Sequence, residues 1–240
     1  MNDKVWKSAE LGKKYLEGVR GGIPLAAAQL DVLATVIRSI GPEIDSFLDL
    51  GCGDGVLGKV IQTMYPGAEG TFLDFSEFMI ESARSKALPG SPSRFILGDY
   101  GTTGWQSSLG RTSFDAVVSG FSIHHQPDER KVELYGEILD LLVPGGIFLN
   151  LEHVSSPTPR IEKAYEEFFL LSMEAHQTST GATRSKEELR QEYLDRPDRA
   201  ANILAPVEDQ CAWLRRIGYE EVDCFFKVFE LALFGGLKPR

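Results

Sequence analysis

Basic side chains are in short supply. Lys and Arg total 25 against 35 Asp and Glu, a formal net charge of −10 over 240 residues. That deficit makes nucleic acid an unlikely partner, because phosphates are gripped by Lys and Arg. Cysteine is scarce too. Cys52, Cys211 and Cys224 are an odd count without metal-ligand spacing. They point to a reducing compartment, with no disulfide framework and no metal site. No run approaches the roughly 20 apolar residues of a membrane span, and Met1 to Lys7 lacks the apolar stretch of a secretory leader. A soluble, cytoplasmic protein with no membrane contact is expected. Internal repeats and low-complexity segments are missing as well. What is present is 42% hydrophobic residues, enough for a full core. The length fits one elaborated α/β domain or two small ones.

The chain is organised around Phe47-Leu48-Asp49-Leu50-Gly51-Cys52-Gly53-Asp54-Gly55-Val56-Leu57-Gly58. An apolar run reads as a buried strand, breaks into a glycine-rich turn, and should lead into a helix. Glycines at such a turn let backbone N–H groups approach a ligand. Gly53-x-Gly55-x-x-Gly58 even fits a dinucleotide fingerprint. The acids oppose that reading. Asp49 ends the strand, Asp54 sits in the loop, and no Lys or Arg lies between Arg38 and Lys59. A diphosphate would meet like charge there, whereas a ligand with an ammonium and a sulfonium would not.

Two helices are expected before this strand, over residues 6–20 and from Pro24 to Ile40. They either cap the ligand site or only cover the sheet. After it, strands and helices alternate. The strands are Gly70–Asp74, Arg94–Asp99, Phe114–Gly120 and Ile147–Leu151. The helices run from Val56 to Met64, from Ser76, as N-cap, to Ala87, and from Pro127 to Leu142, with Pro144-Gly145-Gly146 turning into the last strand. This alternation predicts a doubly wound parallel sheet. Beyond Val154 a helix from Arg160 to Gln177 and a polar stretch, 178–200, read as a solvated helical cap. A helix from Pro206 to Ile217 and strands Glu221–Val228 and Leu231–Leu237 read as a terminal helix and hairpin. Four segments follow: N-terminal helices over the site (1–44), a ligand-binding core (45–154), an acceptor-selecting cap (155–205) and the completing helix and hairpin (206–240).

In such a sheet, ligands bind beyond the C-terminal strand ends. Here those ends carry Asp49, Asp74, Asp99-Tyr100, Ser119-Gly120 with His124-His125, and Asn150 with Glu152-His153. A lone strand-end Asp is commonly a helix cap. Three in succession are harder to assign that way.

At these residues the sequence resembles the class I S-adenosylmethionine-dependent methyltransferases. The pieces are Leu48 to Gly55, Asp74-Phe75-Ser76 with Met79, Gly98-Asp99, Phe114 to Ser119, and Leu142-Val143-Pro144-Gly145-Gly146, in the family's order. The resemblance implies a Rossmann-like, mostly parallel seven-stranded sheet with an antiparallel C-terminal hairpin, and S-adenosyl-L-methionine as cofactor. It also implies roles. Gly51 and Gly53 lie under the methionine portion and Asp49 orders the loop. Asp74 takes the ribose hydroxyls, with Ser76 beside it. Phe75 and Met79 pack on adenine, Asp99 accepts from its amino group, and Tyr100 stacks nearby. Ser119 and Gly120 offer backbone groups to the amine. Apart from the resemblance, Tyr15 on the first helix either reaches the cofactor site or packs.

The implied reaction is an in-line displacement on a small-molecule acceptor, with His124, His125, Glu152 and His153 as candidates to remove its proton. The competing reading makes the histidines caps of the following helix. Three alternatives stay open. The tail from Ala205 to Phe226 resembles the carboxy-S-adenosylmethionine synthases of tRNA wobble-uridine modification, which need arginines for an anion; Arg20 and Arg199 are the available ones. A non-catalytic cofactor-binding protein is the second, and a nicotinamide dehydrogenase the third. Phe225, Phe226, Phe229 and Phe234 are either hairpin core or a homodimer face.

Overall fold

The computed structural model describes residues 8–17, 19–181, 184–196 and 199–240. Helix α1 (Ala9–Glu17) is followed by a 3-10 turn, Val19–Gly22, and α2 (Ala26–Ile40). The expected continuous helix over 6–20 is therefore shorter, and its first two residues lie outside the described residues, as do the side chains of Tyr15 and Arg20. Then come β1 (Ser46–Leu50), α3 (Val56–Met64), β2 (Glu69–Asp74), α4 (Glu77–Ser85), β3 (Ser93–Leu97), β4 (Phe114–Gly120), α5 (Asp128–Leu141), β5 (Leu142–His153), α6 (Pro159–Thr180), α7 (Lys186–Leu194), α8 (Val207–Ile217), β6 (Glu220–Val228) and β7 (Leu231–Leu237).

The seven strands form one sheet in the order β3-β2-β1-β4-β5-β7-β6. The first five are parallel, and β7 enters antiparallel between β5 and β6. All five residues of β1 are buried, the pattern of a strand covered on both faces. Leu48, Leu50, Val117 and Phe148 pack on one face with Leu134, Ile138 and Leu214 of α5 and α8. Phe47, Val118 and Leu149 pack on the other with Leu33, Ile37, Leu57 and Ile61 of α2 and α3. Gly58 permits that second layer, since a Cβ there would fall 2.2 Å from the Phe72 ring.

Two local expectations need correction. Pro144-Gly145-Gly146 lies inside β5 rather than before it, and the β4–β5 register shifts between Phe114 and Ala116. The pairing slips there because Pro144 lacks the N–H a ladder requires. Ser76 precedes α4, yet its hydroxyl makes no cap bond. The cap helices are built as their sequences ask. Thr158 accepts from Ile161 N–H ahead of Pro159, and Ser185 with Glu188 forms a capping box. Their facing aromatics Tyr165, Phe169 and Tyr193 close a third small core against Leu231. In the hairpin Phe234 is fully buried, whereas Phe229 is 38% exposed and meets Phe168 in a tilted ring contact.

Candidate active site

A cavity of about 530 Å³ opens over the C-terminal ends of β1, β2, β4 and β5 and runs beneath α6 and α7. One half belongs to the glycine loop. Gly51, Gly53 and Gly55 all have positive φ. A Cβ on Gly51 would sit 1.9 Å from Ser122 Oγ, whereas one on Gly53 would meet nothing within 4 Å. The first glycine serves packing and the second leaves room for a ligand. Asp49, 1% exposed, accepts from Gly58 N–H at 2.8 Å and so ties the strand end to the first turn of α3.

Asp74 holds the loop from the other side. Its Oδ2 accepts from Gly53 N–H at 2.9 Å and its Oδ1 from Ser76 N–H at 2.8 Å. Burial pushes its carboxyl up to about 6, although these backbone donors pull the other way. Each oxygen keeps lone-pair capacity beyond its one backbone bond. Phe75, Ser76 and Met79 line the same half. The loop is less bare of positive charge than the sequence implied, because Lys86, just past α4, reaches Asp54 at 2.8 Å. That pairing spans 32 residues, so a local count of charges misses it.

The other half holds the histidines. Phe121 leaves β4 at φ 49, a costly conformation for a bulky residue, and a 3-10 turn, Ile123–His125, follows. His124 Nδ1 lies 2.5 Å from Glu152 Oε1. The His124 N–H donates to Glu152 Oε2 at 3.0 Å, and His153 N–H donates to Oε1 at 2.9 Å. Glu152 is 1% exposed, and desolvation raises its carboxyl to about 7 against the pull of the His153 N–H and of nearby His125, Lys131 and His153. An ionised carboxylate only accepts, so Nδ1 then carries the proton and Nε2 is left as the basic nitrogen. Neither histidine caps α5, whose N-cap is Pro127 with no side-chain bond. His125 Nδ1 donates to Ala201 O at 3.3 Å and Ile203 N–H to His124 O at 2.8 Å. Buried Lys131 bridges Asp128 and Ile203 O. The end of the cap is thus stitched to the histidine turn.

Of the residues singled out in the sequence, Asp49, Gly51, Gly53, Asp74, Phe75, Ser76, Met79, Gly120, His124, His125 and His153 line the cavity. Four others stand behind its wall. Glu152 lies under His124. Ser119 Oγ donates to Leu50 O at 2.8 Å. Tyr100, 4% exposed, shares a 2.6 Å hydrogen bond with Ser122 Oγ. Asp99 accepts from Gly101 N–H at 2.8 Å in its own turn. Cavity residues the sequence did not announce come from the cap and hairpin: Tyr165, Phe169, Tyr193, Arg196 and Glu230. The i, i+4 aromatics Tyr165 and Phe169 were the one available signal. Arg199 also lines the cavity, but its guanidinium is bonded to Glu166 at 2.9 Å.

The family model of a methyltransferase domain matches residues 47–146. The ribosomal RNA large subunit methyltransferase G of Shewanella woodyi is 38% identical over 87 residues, covering 35% of this chain and 21% of that protein. The chain thus spans about a fifth of the length of that relative. The demethylmenaquinone methyltransferase of Clavibacter sepedonicus is 28% identical over 204 residues, 84% of this chain and 77% of that protein. Among solved structures, an O-methyltransferase family protein from Burkholderia thailandensis superposes with a TM-score of 0.64 at 17% identity, over 90% of this chain and 56% of that one. Human N-acetylserotonin methyltransferase, in complex with S-adenosylmethionine, gives 0.63 at 15% identity over 99% and 59%. The chain thus carries a methyltransferase domain over residues 47–146, and its seven-stranded sheet has the fold of these solved methyltransferases.

Proposed function

We propose that the protein transfers a methyl group from S-adenosylmethionine to a hydroxyl of a small molecule held between the C-terminal strand ends and the cap. The observation that carries this reading is the buried pair His124–Glu152, with Nδ1 and Oε1 2.5 Å apart at the cavity wall. The cofactor's residues fit its chemistry. Asp74 offers a carboxylate to ribose hydroxyls, Gly53 leaves open space, and Asp49 and Asp74 suit a cation. When bound, it supplies an activated methyl group. The chain's own part is to position the acceptor and take its proton. Glu152 fixes the His124 tautomer and stabilises the imidazolium that forms as Nε2 accepts the proton. Phe121 and the cap aromatics give the cavity an apolar lining against which an acceptor ring can pack.

Support for a small acceptor comes from the cavity's volume of about 530 Å³ and the net charge of −10. The ribosomal RNA relatives align over 61 to 153 residues of this chain and over no more than 41% of their own length, and their substrate is a property of those proteins. Mass spectrometry of the protein incubated with S-adenosylmethionine and a panel of phenols tests the reading. A 14-dalton gain on a phenol is expected, and His124→Ala should cut that rate by about 10²–10⁴-fold with S-adenosylhomocysteine affinity unchanged. Full activity in His124→Ala would refute the assignment of the base.

A further inference from the structure

We infer that Glu230, with His153, forms a second recognition point in the cavity, reading an O–H or N–H on the acceptor beside the oxygen that is methylated. The inference rests on the hydroxyl-acceptor reading above and names its substrate class: an aromatic ring bearing a second hydrogen-bond donor next to the reacting hydroxyl.

Glu230 occupies the turn between β6 and β7. The turn is firmly held. Val154 N–H donates to Glu230 O at 2.8 Å, and the preceding Phe229 sits at φ 52, a conformation that persists in a bulky residue only where its surroundings impose it. The Glu230 side chain is 5% exposed and lines the cavity. Its Oε2 accepts from His153 Nε2 at 2.7 Å. Its Oε1 has no hydrogen-bond partner among the described residues. That oxygen opens onto the cavity rather than being sealed from it, and an ionised carboxylate oxygen bonds only to a donor. An acceptor molecule entering the cavity can supply one. A hydroxyl or amino group does so, whereas an ether oxygen does not.

The second point lies close to the base. His153 follows Glu152 directly, and the His124 and His153 rings are 5.7 Å apart. Both histidine–carboxylate pairs therefore face one small molecule. The wall around them is aromatic. Tyr165 stands 5.6 Å from the His153 ring, Phe169 5.9 Å from Tyr165, and Tyr193 5.0 Å from Phe169. Such a slot suits a planar ring. Of the two cavity arginines, Arg199 is bonded to Glu166 at 2.9 Å and the Arg196 guanidinium lies 5.7 Å from the Tyr193 ring. A useful asymmetry follows: methylation of the second hydroxyl would turn a matched donor into an ether that Oε1 rejects.

Titration calorimetry with catechol, phenol and 2-methoxyphenol, with S-adenosylhomocysteine present, tests this. Catechol should bind the wild-type protein roughly tenfold or more tightly than the other two, as expected for a hydrogen bond to a charged group. Glu230→Gln keeps an oxygen for His153 and turns an amide N–H toward the cavity. It should abolish the preference for catechol and favour 2-methoxyphenol instead. Equal wild-type affinities, absence of binding by all three probes, or an unchanged preference in Glu230→Gln would each overturn the inference. S-adenosylhomocysteine affinity and thermal unfolding, measured on both proteins, report separately on the cofactor reading and on folding. A protein that binds the cofactor but ignores the second donor fails this inference alone.

Discussion

Cofactor affinity should fall as pH drops through about 6, and Asp74 should be the cause. The carboxyl is buried at 6% exposure and its value is raised to about 6, chiefly by desolvation. Only the ionised form offers charged acceptors to ribose hydroxyls while still holding Gly53 and Ser76 N–H. At pH 5 roughly a tenth of the protein would have Asp74 ionised, so S-adenosylhomocysteine should bind about tenfold more weakly than at pH 8. The ligand's own ammonium and carboxylate do not titrate in this window. Asp74→Asn should flatten the profile and weaken binding at pH 8 by about tenfold or more, the worth of a charge-assisted hydrogen bond. The same shift acts on stability. A raised folded-state value means that the group favours the ligand-free fold below 3.8 and that this contribution is lost as pH rises through about 6. The shift corresponds to about 3 kcal/mol. Calorimetric titrations from pH 5 to 8 decide the matter. A flat wild-type profile, or a pH dependence that survives Asp74→Asn, would refute the argument.

Two further perturbations follow from the geometry. Glu152→Gln leaves three donors facing one oxygen and one NH₂, because Oε1 holds two of them and Oε2 the third. The amide oxygen should take the Oε1 position, sparing the His124 tautomer, at a stability cost of about 1–3 kcal/mol for the facing N–H groups. Turnover should fall roughly 10–100-fold through loss of the charge beside the imidazolium, and less than in Glu152→Ala; equal rates in the two variants would contradict this. Gly51→Ala places a methyl 1.9 Å from Ser122 Oγ at φ 65. It should lower Tm by about 5–10 °C, from roughly 2–3 kcal/mol of strain and displacement, whereas Gly53→Ala should cost less stability but weaken S-adenosylhomocysteine binding.

The sheet was legible in the sequence because its signals are local. Phe114–Gly120 is predicted and observed with the same bounds, since a continuous apolar run between turns admits few readings. The helix from Val56 to Met64 is similar, opened by Gly55 in the left-handed region. Pro144-Gly145-Gly146 misled because turn residues inside a strand mark a register shift as readily as an end. That the glycine-loop residues would line a cavity was readable for the same reason as the sheet: they follow strand ends directly. Side chains whose meaning depends on distant partners were not. Tyr100 was expected at the ligand but packs behind the wall, because its hydroxyl finds Ser122, 22 residues on. Lys86 and Glu230 carry no motif. Each matters only through what folding puts beside it, Asp54 in one case and His153 in the other.

Topology explains why the hairpin contributes to the site. In a parallel sheet only loops after strands reach the ligand side, so β1, β2, β4 and β5 each deliver residues from their C-terminal ends. A strand inserted antiparallel reverses this rule. Because β7 pairs with β5 so that Leu231 faces His153, the residues before β7 arrive where those after β5 leave. Glu230 therefore meets His153 without any crossover, and the turn that joins β6 to β7 becomes a wall of the cavity. The edge strand β6 is then free to end the sheet through its own pairing with β7. The terminal hairpin completes the fold and also sets one face of the cavity, so on the proposed function changes to its turn should alter acceptor choice while cofactor affinity, assigned to the ends of β1 and β2 on the far side of β4, stays constant.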